Sequence, residues 1–542
     1  MNDTISPPAA PPAPARPPTD REPSLARSTP DWNQAHQIPA RPPIAILGVP
    51  FDNLTTTEAL DRIAQMVASR QPHYLVTANV DFVVQAQSDI ELRRIFADAD
   101  LVLCDGTPLL WVSRLLGNAL VERVAGADIV PLLIERAAER GYGLFFLGAT
   151  PESCSAAVER LRVRYPTLRI AGHYSPPFNT LLEMDHEEIK RRITEAAPDL
   201  LFVAFGCPKA EKWVAMNYRE LGVPVAVGVG ATIDFLAGHV KRAPIWMRRS
   251  GLEWVFRLIQ EPRRLFGRYA RDLWVFGWRI LGQWLLLRRQ AGGPAEVPAA
   301  AFAQAPDLSH QLVRLRGNLH RYHAESFARV FDAILNEGRP CVLDLTELES
   351  VDSTGIALLM RLQQRLQARG AALVLVGVNP SVRKVFKRMQ WEHSFACAST
   401  QKEAVRLIEV RNRERIAAVE TPSYWGTRLT WRGEITASNV AEVWKRTQKI
   451  LLASDPHQPG VSNGDVAEIV IDLSQVRFID SSGLSMMVRA RRWASCQGIG
   501  LAFTGVQPAV ASVVRMAHLD DFLQVRLLEK APALESLSPV PA

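Results

Sequence analysis

One pattern occurs twice in the second half of the chain, and its spacing constrains the fold more than any other feature. Each copy has an apolar run containing an Asp, followed by Asp-Ser-x-Gly, at 342–356 and at 471–484. The equivalent pairs, each 128 residues apart, are Asp344 and Asp472, Asp352 and Asp480, and Gly377 and Gly505. A constant offset at three positions indicates a duplicated structural module.

At 542 residues the chain is longer than one hydrophobic core usually supports, so we expect three or four domains. Residues 1–43 are rich in Pro and Ala and lack the apolar core of a secretory signal, which predicts a disordered tail. The predicted divisions after this tail are an α/β domain at 44–240, a basic aromatic appendage at 241–289, a linker at 290–308, a first module at 309–410, a linker at 411–423, a second module at 424–531 and a tail at 532–542.

Residues 44–240 alternate between short apolar runs and helix-like stretches. The runs that we predict as strands are 73–78, 100–104, 143–147, 200–204 and 223–227. Strands and helices that alternate at this spacing predict a Rossmann-like α/β domain, with a parallel sheet covered by helices on both faces. In such sheets, ligands bind beyond the carboxyl ends of the strands.

Small and polar residues lie at the ends of these predicted strands or directly after them. They form the groups Thr77-Ala78-Asn79, Asp105-Gly106, Gly148-Ala149-Thr150-Pro151, Gly206-Cys207-Pro208-Lys209 and Gly228-Val229-Gly230-Ala231. Glycine lets backbone amides approach a ligand closely, and helix N-termini favour phosphate. Each group alone is compatible with an ordinary turn between a strand and a helix, whereas the five together predict a ligand site at one edge of the sheet.

The basic charge of the chain is concentrated in 241–290, which holds twelve Lys and Arg against three acidic residues. Five of the thirteen Trp lie in the same segment. The apolar run 273–287 has 15 residues and is interrupted by Arg279 and Gln283, which is short of the roughly 20 residues that span a bilayer. We therefore expect helices that lie on an anionic membrane surface, the alternative being a helical lid with a basic outer face.

The order of these motifs resembles the WecG/TagA/CpsF glycosyltransferases (family 26). The matching segments beyond the strand ends are Arg123 to Asp128, Gly172 to Phe178 and the run from Arg242 to Tyr269. The resemblance covers about 44–285. It implies inverting transfer of a sugar, of N-acetylmannosamine or glucosyl type, from a UDP-sugar to a polyprenyl-diphosphate-linked acceptor, with no required metal or other cofactor.

The resemblance also assigns roles to residues. Asp105 matches the base that deprotonates the acceptor hydroxyl, although an Asp in such a turn could equally cap a helix. Thr77 and Asn79 match positions that line the sugar, and Arg123 matches a cation near the diphosphate, where the alternative is a surface cation. The other predicted substrate-binding residues are Gly148, Lys209, Gly230, Asp234, Arg257, Arg263, Arg264 and Arg268.

One position departs from the family pattern. The family commonly has Gly-x-Pro-Lys-Gln-Glu, whereas this chain has Ala210 in place of the Gln. The departure leaves the donor sugar open. It also keeps a second hypothesis in view, a non-catalytic signalling scaffold with a degenerate transferase domain, which a turnover measurement would separate from an enzyme.

Each repeated module resembles the STAS domain of anti-sigma-factor antagonists and transporter tails. In that family, a partner kinase phosphorylates the residue after Asp-Ser, which is Thr354 in the first copy and Ser482 in the second. The alternative is that both hydroxyls only cap a helix. The resemblance implies that the modules bind a partner protein or kinase and regulate the enzyme.

Together these features predict a bacterial enzyme of surface or extracellular polysaccharide synthesis. We expect it in the cytoplasm, peripheral to the inner face of the cell membrane, with a polyprenyl-diphosphate-linked sugar as acceptor. A nucleic-acid partner is not expected, and the sequence leaves the oligomeric state open.

Overall fold

The structure, a computed structural model, describes residues 41–240, 242–290, 300–303, 310–391, 394–413, 419–423, 426–453, 468–517, 519–523 and 525–527. The predicted N-terminal tail lies outside these residues apart from 41–43, and the predicted C-terminal tail lies outside them entirely.

The first domain is built on a six-stranded parallel sheet. A short antiparallel hairpin precedes it, formed by β1 (Ile44–Ile46) and β2 (Val49–Phe51). The sheet strands are β3 (His73–Ala78), β4 (Leu101–Cys104), β5 (Leu144–Gly148), β6 (Ile170–Tyr174), β7 (Leu200–Ala204) and β8 (Val225–Gly228). Their order is β4-β3-β8-β7-β5-β6, so all their carboxyl ends meet at one edge.

Helices cover both faces of this sheet, as the buried apolar strands predict. They are α1 (Thr56–Ser69), α2 (Val80–Gln85), α3 (Ile90–Asp98), α4 (Thr107–Leu115), α5 (Gly126–Arg140), α6 (Pro151–Arg164), α7 (His186–Ala196), α8 (Lys209–Asn217) and α9 (Thr232–Ala237). Phe145 packs into the core on one face and Phe146 into the core on the other, because successive side chains of a strand point to opposite sides.

The basic appendage consists of three helices, α10 (Ile245–Arg249), α11 (Glu253–Gln260) and α12 (Pro262–Gln290). The last has 29 residues, which makes it about 43 Å long. One side of α12 is buried, through Leu265, Asp272, Phe276, Ile280 and Gln283. Their spacing of three, four or seven residues keeps them on one face of the helix.

The first repeated module contains a five-stranded sheet in the order β13-β12-β11-β10-β9. Its strands are β9 (Ala300–Ala303), β10 (Gln311–Leu319), β11 (Cys341–Val351), β12 (Leu373–Val376) and β13 (Ala396–Ala398). Its helices are α13 (Ala324–Glu337), α14 (Ser353–Ala368), α15 (Pro380–Arg388) and α16 (Gln401–Arg413). A short 3-10 helix at Arg321–His323 precedes α13.

The second module repeats this arrangement with the sheet order β14-β15-β16-β17-β18. Its strands are β14 (Val419–Ser423), β15 (Gly426–Ile435), β16 (Glu468–Ile479), β17 (Gly500–Val506) and β18 (Val525–Leu527). Its helices are α17 (Val440–Ala453), α18 (Ser481–Cys496), α19 (Pro508–Met516) and α20 (Asp520–Leu523). The elements of the two modules correspond in order up to α15 and α19, and the modules differ at their ends, where α16 follows β13 and α20 precedes β18. This correspondence confirms the predicted fold class of a parallel-sheet domain followed by two tandem α/β modules.

The structure extends both modules beyond their predicted boundaries. β9 lies in the segment predicted as the first linker and pairs antiparallel with β10, and β14 lies in the second predicted linker and pairs antiparallel with β15. The sequence prediction missed β9 because Ala300-Ala301-Phe302-Ala303 is a short run dominated by Ala, which is a weak strand former.

Candidate active site

Asp105 lies at the carboxyl edge of the sheet, directly after β4. Its backbone amide donates to the Ala78 carbonyl at 2.9 Å, which fixes the turn against the neighbouring strand β3. Its Oδ2 accepts a hydrogen bond from the Gly126 amide at the start of α5, at 3.2 Å. The N-cap of α4 is Gly106, and the described hydrogen bond of the Asp105 carboxylate goes to α5 rather than to the first turn of α4.

The environment of Asp105 favours the protonated carboxyl. Burial raises its pKa to about 6, while the Arg123 guanidinium and the Gly126 amide oppose that shift. A carboxylate with a pKa near 6 is ionised at neutral pH and is a stronger base than an ordinary Asp. The group can therefore accept a proton from a hydroxyl placed at this edge.

Thr77 and Asn79, at the end of β3 and directly after it, lie beside Asp105. Thr77 is buried at the end of β3, and a Cβ at Gly126 would lie 2.9 Å from its Oγ1, so only glycine fits at 126. Asn79 caps α2 by accepting the Phe82 amide at 3.3 Å. A Cβ at Gly106 would lie 3.8 Å from the Asn79 Cβ, which places the turns after β3 and β4 side by side.

Arg123 is held in an acidic cluster and is not a free surface cation. Its guanidinium pairs with Asp128 at 2.7 Å and with Glu253 of α11 at 3.1 Å. Arg242 and Arg248 also pair with Asp128, at 2.9 and 3.4 Å. The cluster joins the appendage to the loop that precedes α5, and it brings Arg123 close enough to Asp105 to lower the pKa of that carboxyl.

The appendage brings two of the four predicted arginines into described contacts at this edge. The Arg257 guanidinium lies 5.4 Å from the centre of the Phe235 ring in α9 and acts to lower the Asp105 pKa. Arg268 lies 3.8 Å from Asp81, in the first turn of α2. Arg263 is exposed at the start of α12, and the side chain of Arg264 lies outside the described residues.

The remaining predicted residues follow the other strands of the same edge. Gly148 ends β5 with a φ of 95°, and a Cβ there would meet the Ala204 carbonyl oxygen at 2.7 Å, so the turn requires glycine. Gly230 and Asp234 follow β8, the second strand from β4.

Lys209 is not brought to Asp105. It follows β7, three strands from β4, which corresponds to about 14 Å across the sheet. Its ammonium group donates to the Asn179 carbonyl and lies over the rings of Phe178 and Phe205. It could therefore serve only the far end of a ligand that extends along the edge.

Glu211 lies under the candidate site, a position that the sequence did not reveal, although the residue belongs to the motif that contains Ala210. Its side chain is buried beneath the turn after β8, and a Cβ at Gly228 would lie 2.6 Å from its Oε1. Burial raises its pKa to about 7. Ala210 is buried in the same place, 3.6 Å from that Cβ position. The departure from the family pattern thus lies under the site.

Both predicted phosphosites are buried, and one of them contacts the first domain. Thr354 is fully buried, and its Oγ1 accepts a hydrogen bond from the Asn118 side chain at 2.9 Å. Ser482 is also buried, and its hydroxyl has no hydrogen-bond partner within the described ranges. Phosphorylation at either residue stays a prediction.

The described residues show neither a membrane-spanning helix nor a metal centre. No described helix is both long and apolar enough to cross a membrane. No group of three or more His, Cys, Asp or Glu side chains in the described part of the chain is placed to hold a metal ion. The predicted independence from metal is untested.

The fold and this edge define the class of the protein, a doubly wound α/β domain with a candidate active site at the carboxyl ends of its strands, joined to two smaller α/β modules. Residues 44–290 match the Glycosyl transferase WecG/TagA/CpsF family, and the chain belongs to that family of glycosyltransferases. Residues 302–399 match the family described as Mlab, STAS domain, and residues 415–531 match the STAS domain. These matches confirm both resemblances drawn from the sequence.

Curated relatives match the first half of the chain. The N-acetylglucosaminyldiphosphoundecaprenol N-acetyl-beta-D-mannosaminyltransferase of Staphylococcus aureus strain MW2 is 30% identical over 239 residues, which are 44% of this chain and 91% of the relative. The protein of the same name from strain NCTC 8325 / PS 47 matches with the same identity and coverage.

A solved anti-sigma factor antagonist from Mycobacterium paratuberculosis is 17% identical, with a TM-score of 0.19, and the match covers 20% of this chain and 95% of that one.

Proposed function

We propose that the first domain transfers a sugar from a UDP-sugar to a polyprenyl-diphosphate-linked acceptor, with inversion at the sugar carbon, and that Asp105 is the base. The observation that carries this proposal is the Asp105 carboxylate, which lies at the ligand-binding edge of the sheet with its pKa raised to about 6. The names of the Staphylococcus aureus relatives support the acceptor class and an N-acetylmannosamine donor.

In this reaction Asp105 takes the proton of the acceptor hydroxyl as the hydroxyl oxygen attacks the anomeric carbon. Direct attack from the face opposite the leaving UDP inverts that carbon. Thr77 and Asn79, which flank the carboxylate, orient the sugar and the attacking hydroxyl. General-base assistance of this kind typically contributes 10²–10⁴-fold to a rate.

Cations of the appendage neutralise the negative charge that develops on the departing diphosphate. Arg257 faces the edge over Phe235, and Arg268 lies beside α2. Arginine suits this task because its planar guanidinium donates two parallel hydrogen bonds to phosphate oxygens. Positive charge supplied in this way is the physical basis for proposing a transfer that needs no metal ion.

The exposed side of α12 supports attachment to a membrane surface. Its apolar side chains include Phe266, Leu273, Trp274, Trp278, Leu281 and Leu285. Trp274 is 76% exposed and Trp278 69%, which is unusual for such large rings. Arginines lie among them on the same helix, and this combination is typical of helices that rest in the interface of anionic lipid. An enzyme placed there meets a lipid-linked acceptor directly.

The test is UDP release by the purified full-length protein with a polyprenyl-diphosphate-linked N-acetylglucosamine acceptor. UDP-N-acetylmannosamine and UDP-glucose are supplied in parallel, with Asp105→Asn as the matched inactive variant. Turnover that depends on Asp105 and on one donor would support the proposal and identify the sugar. No release with either donor by a folded, lipid-bound protein would contradict it and favour the non-catalytic scaffold.

Vesicle sedimentation tests the membrane contact separately. The protein is expected to sediment with vesicles of anionic phospholipid at low salt and to a smaller extent with neutral ones. The double variant Trp274→Ser/Trp278→Ser should lose most of this binding, while Trp111→Ser, which changes an exposed Trp on α4, serves as the control. Equal binding by the double variant would show that α12 does not make the contact.

A further inference from the structure

The same position in both modules contacts the transferase domain or its appendage. Ser353, the first residue of α14, accepts a hydrogen bond at its Oγ from the Gln283 side chain of α12 at 3.0 Å. Ser481, the first residue of α18, donates from its Oγ to Glu91 of α3 at 2.8 Å and from its amide to the same carboxylate at 2.6 Å. Both serines are buried. The duplicated helix start is therefore used twice as a docking surface.

Gln283 joins three parts of the molecule through a buried amide that makes three hydrogen bonds. Its Oε1 accepts from the Leu47 amide at 2.9 Å, and its Nε2 donates to the Ala45 carbonyl at 3.1 Å as well as to Ser353. The β1–β2 hairpin, the appendage helix and the first module meet at this side chain, which is 1% exposed. A buried amide that is hydrogen-bonded at both its oxygen and its nitrogen fixes geometry more strongly than apolar contact does.

The first module also makes buried polar contacts with the transferase domain. Arg361 of α14 forms a buried ion pair with Asp52 at 2.5 Å and donates to the Ala99 carbonyl at 2.6 Å. The Trp391 ring nitrogen donates to the Gly48 carbonyl at 2.9 Å. Charges and polar groups buried with partners at a boundary make separation costly, because each would lose its partner.

The second module packs against α3 through hydrogen bonds and an ion pair. Besides the bonds to Ser481, Glu91 pairs with Lys212 of α8 at 2.9 Å. Arg94 pairs with Glu434 at 2.8 Å and lies 3.7 Å from the centre of the Phe478 ring. Burial raises the pKa of Asp480, which caps α18, to about 7, and the nearby charge of Glu91 adds to the effect. Carboxyl groups thus already crowd this contact, and another negative charge there would open it.

The elements that contact the modules are adjacent in the chain to residues of the candidate site. α3 follows α2, which Asn79 caps, and α12 carries Arg268 at one end and Gln283 at the other. Asn118, which bonds Thr354, follows the helix that begins two residues after Asp105. The docked arrangement also leaves the aromatic side of α12 exposed. Both observations suit a contact that positions the site, and neither suits one that blocks it.

We infer that the starts of α14 and α18, which carry the Ser and Thr hydroxyls of the two STAS modules, bind the transferase domain of the same chain. This docking holds the elements around Asn79, Asp105 and the appendage arginines in their working positions. The part of this inference that concerns turnover rests on the proposed function. The docking itself can be measured without turnover.

The first experiment changes Ser481 in the full-length protein and follows amide hydrogen exchange by mass spectrometry. Ser481→Asp places a carboxylate against Glu91, so exchange in residues 90–98 should rise at least tenfold and UDP release should fall about three- to tenfold. Ser495→Asp, at the exposed end of the same helix, is the matched control. Adding Glu91→Gln to Ser481→Asp should restore slow exchange, because the new amide can donate to the new carboxylate.

The first module is tested by Gln283→Leu, with Ser353→Ala as a milder variant in case the first fails to fold. Exchange in residues 276–290 should rise in both, and more in Gln283→Leu. Unchanged exchange in the Ser481 and Gln283 variants would overturn the docking inference. Faster exchange with unchanged turnover would overturn the positioning role. Absence of UDP release by the unaltered protein would instead contradict the proposed function and leave the exchange result readable.

Discussion

Three aspartates in this chain occupy the same topological place, at the end of a parallel strand and before a helix, but their carboxylates are used differently. Asp352 accepts the amides of Thr354 and Gly355 at 2.9 Å and that of Arg321 at 3.0 Å. Asp480 accepts three equivalent amides in the second module. The carboxylate of Asp105 accepts one amide, that of Gly126.

The comparison shows that a raised pKa alone does not identify a catalytic base. Burial raises the pKa of all three carboxyls, to about 6 for Asp105 and about 7 for Asp480. The number of backbone amides that each carboxylate accepts separates them. Asp352 and Asp480 use their carboxylate oxygens to cap the start of a helix. The Asp105 carboxylate accepts a single amide, so it can still accept a proton from a bound substrate.

The largest expected effect is that of Asp105→Asn. The variant should lose about 10²–10⁴-fold in kcat, because an amide cannot accept the proton of the acceptor hydroxyl. It should keep its melting temperature, since the Asn oxygen can still accept the Gly126 amide. UDP release and thermal unfolding check the two halves of this prediction. A variant that retains more than a tenth of the wild-type rate would remove the distinction between Asp105 and the caps.

The second effect is on the pH profile. The pKa of Asp105 is about 6, and only the ionised form accepts a proton, so turnover should fall as the pH drops through 6. At pH 5 it should be about one tenth of its plateau value. Initial rates between pH 5 and 8, with stability monitored over the same range, provide the check. A rate that is flat down to pH 5 would disagree with the assigned base.

A smaller change should follow from Arg123→Gln. The Arg123 charge lowers the pKa of Asp105, so its removal should shift the acid limb of the profile upward by about half to one pH unit. At pH 6 the rate should therefore fall severalfold more than at pH 8. Arg136→Gln, which removes an exposed ion pair with Asp61 on α1, is the control. A downward shift would contradict the placement of Arg123.

The smallest effect is expected at a cap. Asp352→Ala leaves three backbone amides without their acceptor and should cost about 1 kcal/mol of stability, seen as a melting temperature lower by about 2–4 °C. Glu325→Ala, in the exposed first turn of α13, is the matched acidic control. If Asp352→Ala folded normally but lost turnover, the distinction between the capping carboxyls and Asp105 would be wrong.

The sequence predicted the sheet and its ligand edge because both depend on local patterns. Five apolar runs gave five of the six parallel strands. The sixth, β6, is a half-exposed edge strand containing Gly172 and His173, so it lacks the apolar run of a buried strand. Thr77, Asn79 and Asp105 could be grouped in advance, because each lies at the end of one of two strands or directly after it, and the carboxyl ends of parallel strands lie together.

What the sequence could not predict depends on single polar side chains that are far apart in the chain. Ser481 and Glu91 are 390 residues apart, and Ser353 and Gln283 are 70 apart. No periodicity links such pairs. Gln283 even looked like an interruption of an apolar run, although it is the buried amide that joins the hairpin, the appendage and the first module. The pairing of Arg123 with Glu253 is likewise invisible in the sequence, since the two residues are 130 positions apart.

The length and continuity of α12 have a further consequence for how this chain can change. One continuous helix, α12, carries the exposed aromatic side chains, Arg268 beside Asp81 and the Gln283 amide that bonds Ser353. A substitution that tilts or rotates it alters all three together, so lipid affinity, reaction rate and module attachment would be inherited as linked traits. Insertion of one residue in its middle would turn the downstream face by about 100°, which places the whole segment under constraint against changes in length.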